Sequence, residues 1–130
     1  MKLNEILSKV AKFQTATDQT VNQEPSLLST KESNLRYELM AEENTEYFAA
    51  CVGKDKTEIL DACVDMLYIL AGTINSHGLQ ELIEPAFELV HTNNMTKVGP
   101  DGKVLRDPNG KILKPQGFQP VNLKQLFKDE

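Results

Sequence analysis

Glu58-Ile59-Leu60-Asp61-Ala62-Cys63-Val64-Asp65-Met66-Leu67-Tyr68-Ile69-Leu70-Ala71-Gly72-Thr73-Ile74 sets three acids into an otherwise apolar run. On a helix turning about 100° per residue, Glu58, Asp61 and Asp65 fall within an arc of about 60°, so they form one stripe on a helix that is otherwise expected to be buried. Read alone, such a stripe is a narrow solvated face. The preceding segment changes that reading. Glu42, Glu43 and Glu46 span roughly 100° of a second helix, with Leu35, Leu39 and Ala50 within or beside the same sector. No Lys or Arg lies between Tyr37 and Gly53 to pair with them. The short turn Gly53-Lys54-Asp55-Lys56 makes the two helices antiparallel neighbours and turns both acid clusters toward one another.

With Glu38, seven carboxylates gather at helical spacing, and such a group repels itself unless a cation neutralises it. An all-oxygen site without His or Cys selects a hard ion, so Mg²⁺ is expected, with Mn²⁺ able to substitute. Iron is disfavoured, because a di-iron bundle asks for a Glu-x-x-His pair on each of two helices. The only two histidines, His77 in a turn and His91 near a helix end, suit hydrogen bonding or capping.

The remainder of the chain frames this pair of helices. Leu3, Ile6, Leu7, Val10 and Phe13 predict a first amphipathic helix, with Phe13 in the core. Residues 15–31 are polar, contain Pro25 and read as a loop long enough to face a ligand. The second helix is expected from about Thr30–Asn34 to Val52, closed by Gly53, and the third from Asp55–Thr57 to about Asn75. A fourth is expected over roughly 79–93, with Pro85 in its first turn or at a break. Val104-Leu105-Arg106-Asp107 and Lys111-Ile112-Leu113-Lys114 flank Pro108-Asn109-Gly110, which predicts a small β-hairpin. The expected fold class is thus all-α, a four-to-five-helix bundle with a C-terminal hairpin. The 130 residues form one domain, a helical core over about 1–95 and a basic tail over about 96–130.

A net charge of −5 argues against a nucleic acid polymer as partner, but it conceals an asymmetry. Residues 37–96 hold eleven acids and two bases, whereas residues 97–128 hold seven bases and two acids. Acidic core and basic tail together suit an anionic ligand that arrives with a metal, as a nucleotide does. No apolar run approaches the roughly 20 residues of a membrane helix, and the start, Met1-Lys2-Leu3-Asn4-Glu5, lacks the apolar core of a signal peptide. No membrane association and a cytoplasmic location are therefore expected. Cys51 and Cys63 stand among apolar neighbours without CxxC spacing and read as small buried thiols.

Glu42-Glu43-Asn44-Thr45-Glu46 followed by Glu58-Ile59-Leu60-Asp61 resembles the EExxE and ExxD signature of the all-α nucleoside triphosphate pyrophosphohydrolase superfamily, the MazG-like and phosphoribosyl-ATP pyrophosphohydrolase-like proteins. Arg36 and Glu38, the run from Asp65 to Gly72, and Asn93-Asn94-Met95-Thr96-Lys97 add to the likeness, which covers most of the chain. The resemblance implies Mg²⁺-dependent hydrolysis of an NTP or dNTP between the α and β phosphates, with Glu43, Glu46, Glu58 and one or both of Asp61 and Asp65 on the metal. Spacing selects Asp61; the apolar run that follows selects Asp65. Glu42, beside the metal-binding pair, becomes the candidate for orienting or deprotonating water.

Lys97, Arg106, Lys111 and Lys114 are the candidate contacts for the nucleotide's negative charge, or equally a solvated edge. Asn94 is either a base or sugar contact or a helix-end cap. The resemblance also implies a homodimer or homotetramer, consistent with an apolar third helix that a lone chain cannot cover. Two other readings stand beside the enzyme: a non-catalytic helical metal-binding or assembly module, and the phosphoribosyl-ATP pyrophosphohydrolase of histidine synthesis.

Overall fold

Two helix starts are written into local chemistry. Ser29 caps the second helix: its Oγ accepts from Glu32 N at 3.1 Å and donates to the Glu32 carboxylate at 3.0 Å, a capping box. Asp55 caps the third, its Oδ1 accepting from the backbone of Thr57 at 3.0 Å and of Glu58 at 3.2 Å. A computed structural model describes residues 1–128. It is all-helical, with four α-helices and no strand among the described residues: α1 Leu3–Ala16, α2 Thr30–Val52, α3 Lys56–Ser76 and α4 Ile83–Met95, followed by a 3-10 turn over Leu123–Leu126. Among the described residues no helix is long and apolar enough to cross a membrane.

The chain divides into two compact units, Met1–Glu81 and the segment from Leu82 on. In the first, α1 and α2 both pack on α3. The turn between α2 and α3 is closed by Lys54 N on Cys51 O and Asp55 N on Ala50 O, both at 3.1 Å. The left-handed residue of that turn is Lys54 at φ 53°, while Gly53, expected to cap in glycine fashion, has an ordinary right-handed φ of −76°. The fully buried apolar residues are few: Leu7 and Val10 of α1, Ala50 of α2, and Ala62, Ala71 and Ile74 of α3. Each larger one contributes roughly 1.5–3 kcal/mol of burial.

Because α1 and α2 cover only part of α3, its remaining apolar positions face outward. Leu60 is 66% exposed and Val64 52% exposed, and Leu67 and Leu70 are also exposed. Three expectations are corrected by this. The third helix is not buried apart from its acids; Cys63 is exposed and Cys51 half-buried; and Phe13, half exposed, leaves the core to meet Tyr68 edge-on at 5.7 Å.

In the second unit α4 starts at Ile83, after a turn over residues 80–82, so Pro85 sits in the first helical turn where its missing N–H costs nothing. The 3-10 turn Leu123–Leu126 packs on α4. The expected β-hairpin does not form. The Asp107–Gly110 turn is made, with Gly110 N on Asp107 O at 3.0 Å and Gly110 at φ 84°, but pairing stops at one antiparallel bridge between Arg106 and Ile112. Leu105, Ile112 and Leu113 all stay exposed, Pro115 ends the donor row on one side, and a two-stranded ribbon without a buried face is marginal in water.

Candidate metal centre

α2 and α3 run antiparallel, since Arg36 meets residues 69 and 73 while Glu43 meets Asp65. That register brings three carboxylates together: one oxygen from each of Glu43, Glu46 and Asp65 lies within 4.8 Å of the others. Glu43 Oε2 is buried and has no hydrogen-bond donor. Removal from water, then the neighbouring Glu46 carboxyl and the negative charge of Asp65, push the Glu43 carboxyl up to about 7. In its neutral form Glu43 can share its proton with either neighbour; once it ionises, no donor among the described residues answers its Oε2. A buried acceptor without a donor, inside an all-carboxylate set, fits a hard divalent cation with oxygen ligands.

The other acids fall outside this group. Glu58 and Asp61 are exposed on α3, so the convergent aspartate is Asp65 and the ExxD pair remains in solvent. Glu42 is exposed, about 100° around α2 from Glu43, and Glu38 is exposed as well. In the second unit, Asn94 Oδ1 accepts from Lys97 Nζ at 3.1 Å. Lys97 and Lys114 stand over the ring of Phe118 at 5.4 and 5.7 Å, so one aromatic face collects two cations. Arg106 donates to Gly110 O at 2.8 Å, bracing its own turn, and Lys111 is exposed with its backbone N–H on Asp107.

A second polar cluster is buried, and the sequence reading does not bring its residues together. Gln14 and Asn75 are each 1% exposed. Gln14 Nε2 donates to Gly72 O at 2.9 Å and Ser76 Oγ at 3.1 Å, and Asn75 Nδ2 donates to Leu7 O and Gln14 Oε1. The buried Arg36 donates from Nε to Thr73 Oγ1, from Nη1 to Gln19 Oε1 and from Nη2 to Ile69 O. Gly72 is what admits it: a Cβ there would stand 2.6 Å from Arg36 Nη2. The polar loop before α2 is bound to the end of α3 by Asn22 N on Asn75 O and Ser26 N on His77 O, with His77 Nδ1 also meeting Ser26 O. The signal that could have revealed these residues is positional. Gln14 continues the Leu7–Val10 stripe and Asn75 the Ala71 stripe, so each polar side chain occupies a core position.

A family model described as phosphoribosyl-ATP pyrophosphohydrolase matches residues 10–94, a span that holds α2, α3 and all three convergent carboxylates. No curated protein gives a match.

Proposed function

The chain belongs to the phosphoribosyl-ATP pyrophosphohydrolase family, within the all-α nucleoside triphosphate pyrophosphohydrolase superfamily, and on that premise we propose that it hydrolyses a nucleoside triphosphate, NTP or dNTP, to the monophosphate and pyrophosphate. The observation that carries this reading is the convergence of Glu43, Glu46 and Asp65 around the undonated Glu43 Oε2. These three side chains are the proposed holders of Mg²⁺, with Mn²⁺ as substitute. When bound, the ion supplies charge neutralisation for the polyphosphate and Lewis acidity.

The chain's own residues account for the rest. Water attacks the α phosphorus, the α–β anhydride bond breaks, and pyrophosphate leaves with the electron pair. Glu42, exposed and next to Glu43 in the chain, is the proposed acceptor of the water's proton. Lys97 and Lys114, gathered at Phe118, and Arg106 and Lys111 are the proposed contacts for phosphate charge, with Asn94 for the base or sugar.

A panel of NTPs and dNTPs with Mg²⁺, read by pyrophosphate and monophosphate release, tests the reaction. Turnover of none of them, nor of phosphoribosyl-ATP, would leave a non-catalytic metal-binding module. The family match favours phosphoribosyl-ATP as a second substrate reading, and turnover of that compound alone would select it. A homodimer or homotetramer is part of the same proposal, because a second copy is the natural cover for Leu60, Val64 and Leu67 on α3. Light scattering at micromolar concentration checks it, and a monomer would refute it.

A further inference from the structure

Arg36 and Ala50 are the only fully buried residues of α2. The carboxylates Glu43 and Glu46 lie between them. At the Ala50 end the buried side chain of α2 is a single methyl. Small smooth side chains of this kind resist separation of two helices far better than they resist sliding. At the other end the guanidinium makes three directed bonds to two segments: 3.1 Å to Thr73 Oγ1 and 2.8 Å to Ile69 O on α3, and 2.9 Å to Gln19 Oε1 on the preceding loop.

All three acceptors are neutral, so a cation 8% exposed is held with no counter-ion among the described residues, and desolvation lowers its pKa. A buried charge in that state costs several kcal/mol unless its geometry is closely met. Ile69 O also accepts from Thr73 Oγ1 at 2.9 Å, which locks the acceptor pair itself. Gly72 completes the seat.

The clamp is close to the carboxylates along both helices. Ile69 is one turn beyond Asp65, and Arg36 is two turns, about 10 Å, before Glu43. A slip of one residue would move α2 about 1.5 Å along α3, whereas metal–oxygen distances tolerate shifts of only about 0.2 Å. Mutual repulsion of the three acids pushes toward such a slip, and the single methyl of Ala50 does little to oppose it.

We infer that Arg36 is a positioning residue: its three-point clamp on Ile69 O, Thr73 Oγ1 and Gln19 Oε1 sets the register of α2 on α3 and thereby holds Glu43 and Glu46 against Asp65. Only the effect on turnover rests on the pyrophosphohydrolase reading; the register itself is observable without activity.

The test uses the full-length chain and its Arg36→Met, Arg36→Lys and Thr73→Val variants. Mn²⁺ affinity is measured by electron paramagnetic resonance, well below each variant's thermal midpoint. Arg36→Met and Arg36→Lys should each bind Mn²⁺ at least tenfold more weakly while unfolding cooperatively, since an ammonium cannot span the three acceptors. Thr73→Val, nearly isosteric and removing one acceptor, should bind about threefold more weakly, and it serves if the Arg36 variants do not fold. Without metal, amide exchange over residues 43–46 should accelerate in every folded variant. Wild-type Mn²⁺ affinity and wild-type exchange in a folded Arg36→Met, or in Thr73→Val, would overturn the inference even if the wild type hydrolyses nucleotides. A wild type that binds Mn²⁺ and turns over nothing, with the variants weakened as stated, would sink the enzymatic reading and leave Arg36 in its role.

Discussion

Two polar clusters share the α2–α3 seam, two helical turns apart, and they are built on opposite terms. Around Arg36, Gln14 and Asn75, donors find acceptors within 2.8–3.1 Å. Around Glu43, three carboxylates converge, and among the described residues no donor answers Glu43 Oε2. A satisfied buried network stabilises one arrangement of helices; an unsatisfied one is a standing demand for something from outside. The first reads as architecture and the second as the proposed metal site.

The sharpest way to break that contrast is to neutralise one acid of each kind. Glu46→Gln and Asp65→Asn should lower turnover by about 10³-fold or more with helical content unchanged, because each removes charge from the convergent set. Glu58→Gln, outside the set, should stay within about threefold of wild type. Steady-state kinetics with circular dichroism checks all three, and a Glu58→Gln enzyme as dead as Glu46→Gln would dissolve the boundary drawn here.

The architectural cluster is probed by Gly72→Ala. The added methyl collides with Arg36 Nη2 at 2.6 Å and crowds Gln14 Nε2 at 3.3 Å, so a loss of roughly 1–3 kcal/mol is expected in denaturant unfolding. No loss would mean that the guanidinium can move aside freely.

The acid cluster should also announce itself in the pH dependence of stability without metal. Burial and the neighbouring Glu46 and Asp65 carboxylates push the Glu43 carboxyl from its ordinary 4.5 up to about 7 in the folded state. The native state then binds the extra proton between those values, and stability falls as pH rises from about 4.5 through 7. After allowance for solvent screening the effect is on the order of 1 kcal/mol. Thermal melts at pH 5 and pH 8 in a chelating buffer should show it, Glu43→Gln should erase it, and added Mg²⁺ should reverse the loss at pH 8.

The smallest effect lies at the turn joining the two helices. Lys54 holds a left-handed φ of 53°, a conformation in which a side chain is strained and glycine is not. Lys54→Gly should stabilise by about 0.5–1 kcal/mol, read as a higher thermal midpoint.

Much of this was legible in one dimension. Helices α1, α2 and α3 were expected within a few residues of where they stand, because their apolar spacing and the acceptors at Ser29 and Asp55 are local facts. The helix pair that brings acids together was likewise foreseeable, from a short turn and the want of any base between Tyr37 and Gly53. What failed were statements about neighbours. Apolar neighbours put Cys63 in the core and helical spacing puts Phe13 there, yet whether an apolar side chain is covered depends on how many helices pack against it. The hairpin around Asn109-Gly110 has its turn and lacks its ladder for the same reason: no surface covers Leu105 or Ile112.

The order of residues by itself determined the helices and the antiparallel acidic pair that two of them make, since periodicity and capping act over a few residues. Tertiary structure alone decided that Asp65 and not Asp61 joins Glu43 and Glu46, that Glu58 stays in solvent, and that Arg36 and Gln14 take core positions. Those outcomes depend on the register of one helix against another, where one residue of sliding shifts every side chain by about 1.5 Å and turns it to a different partner.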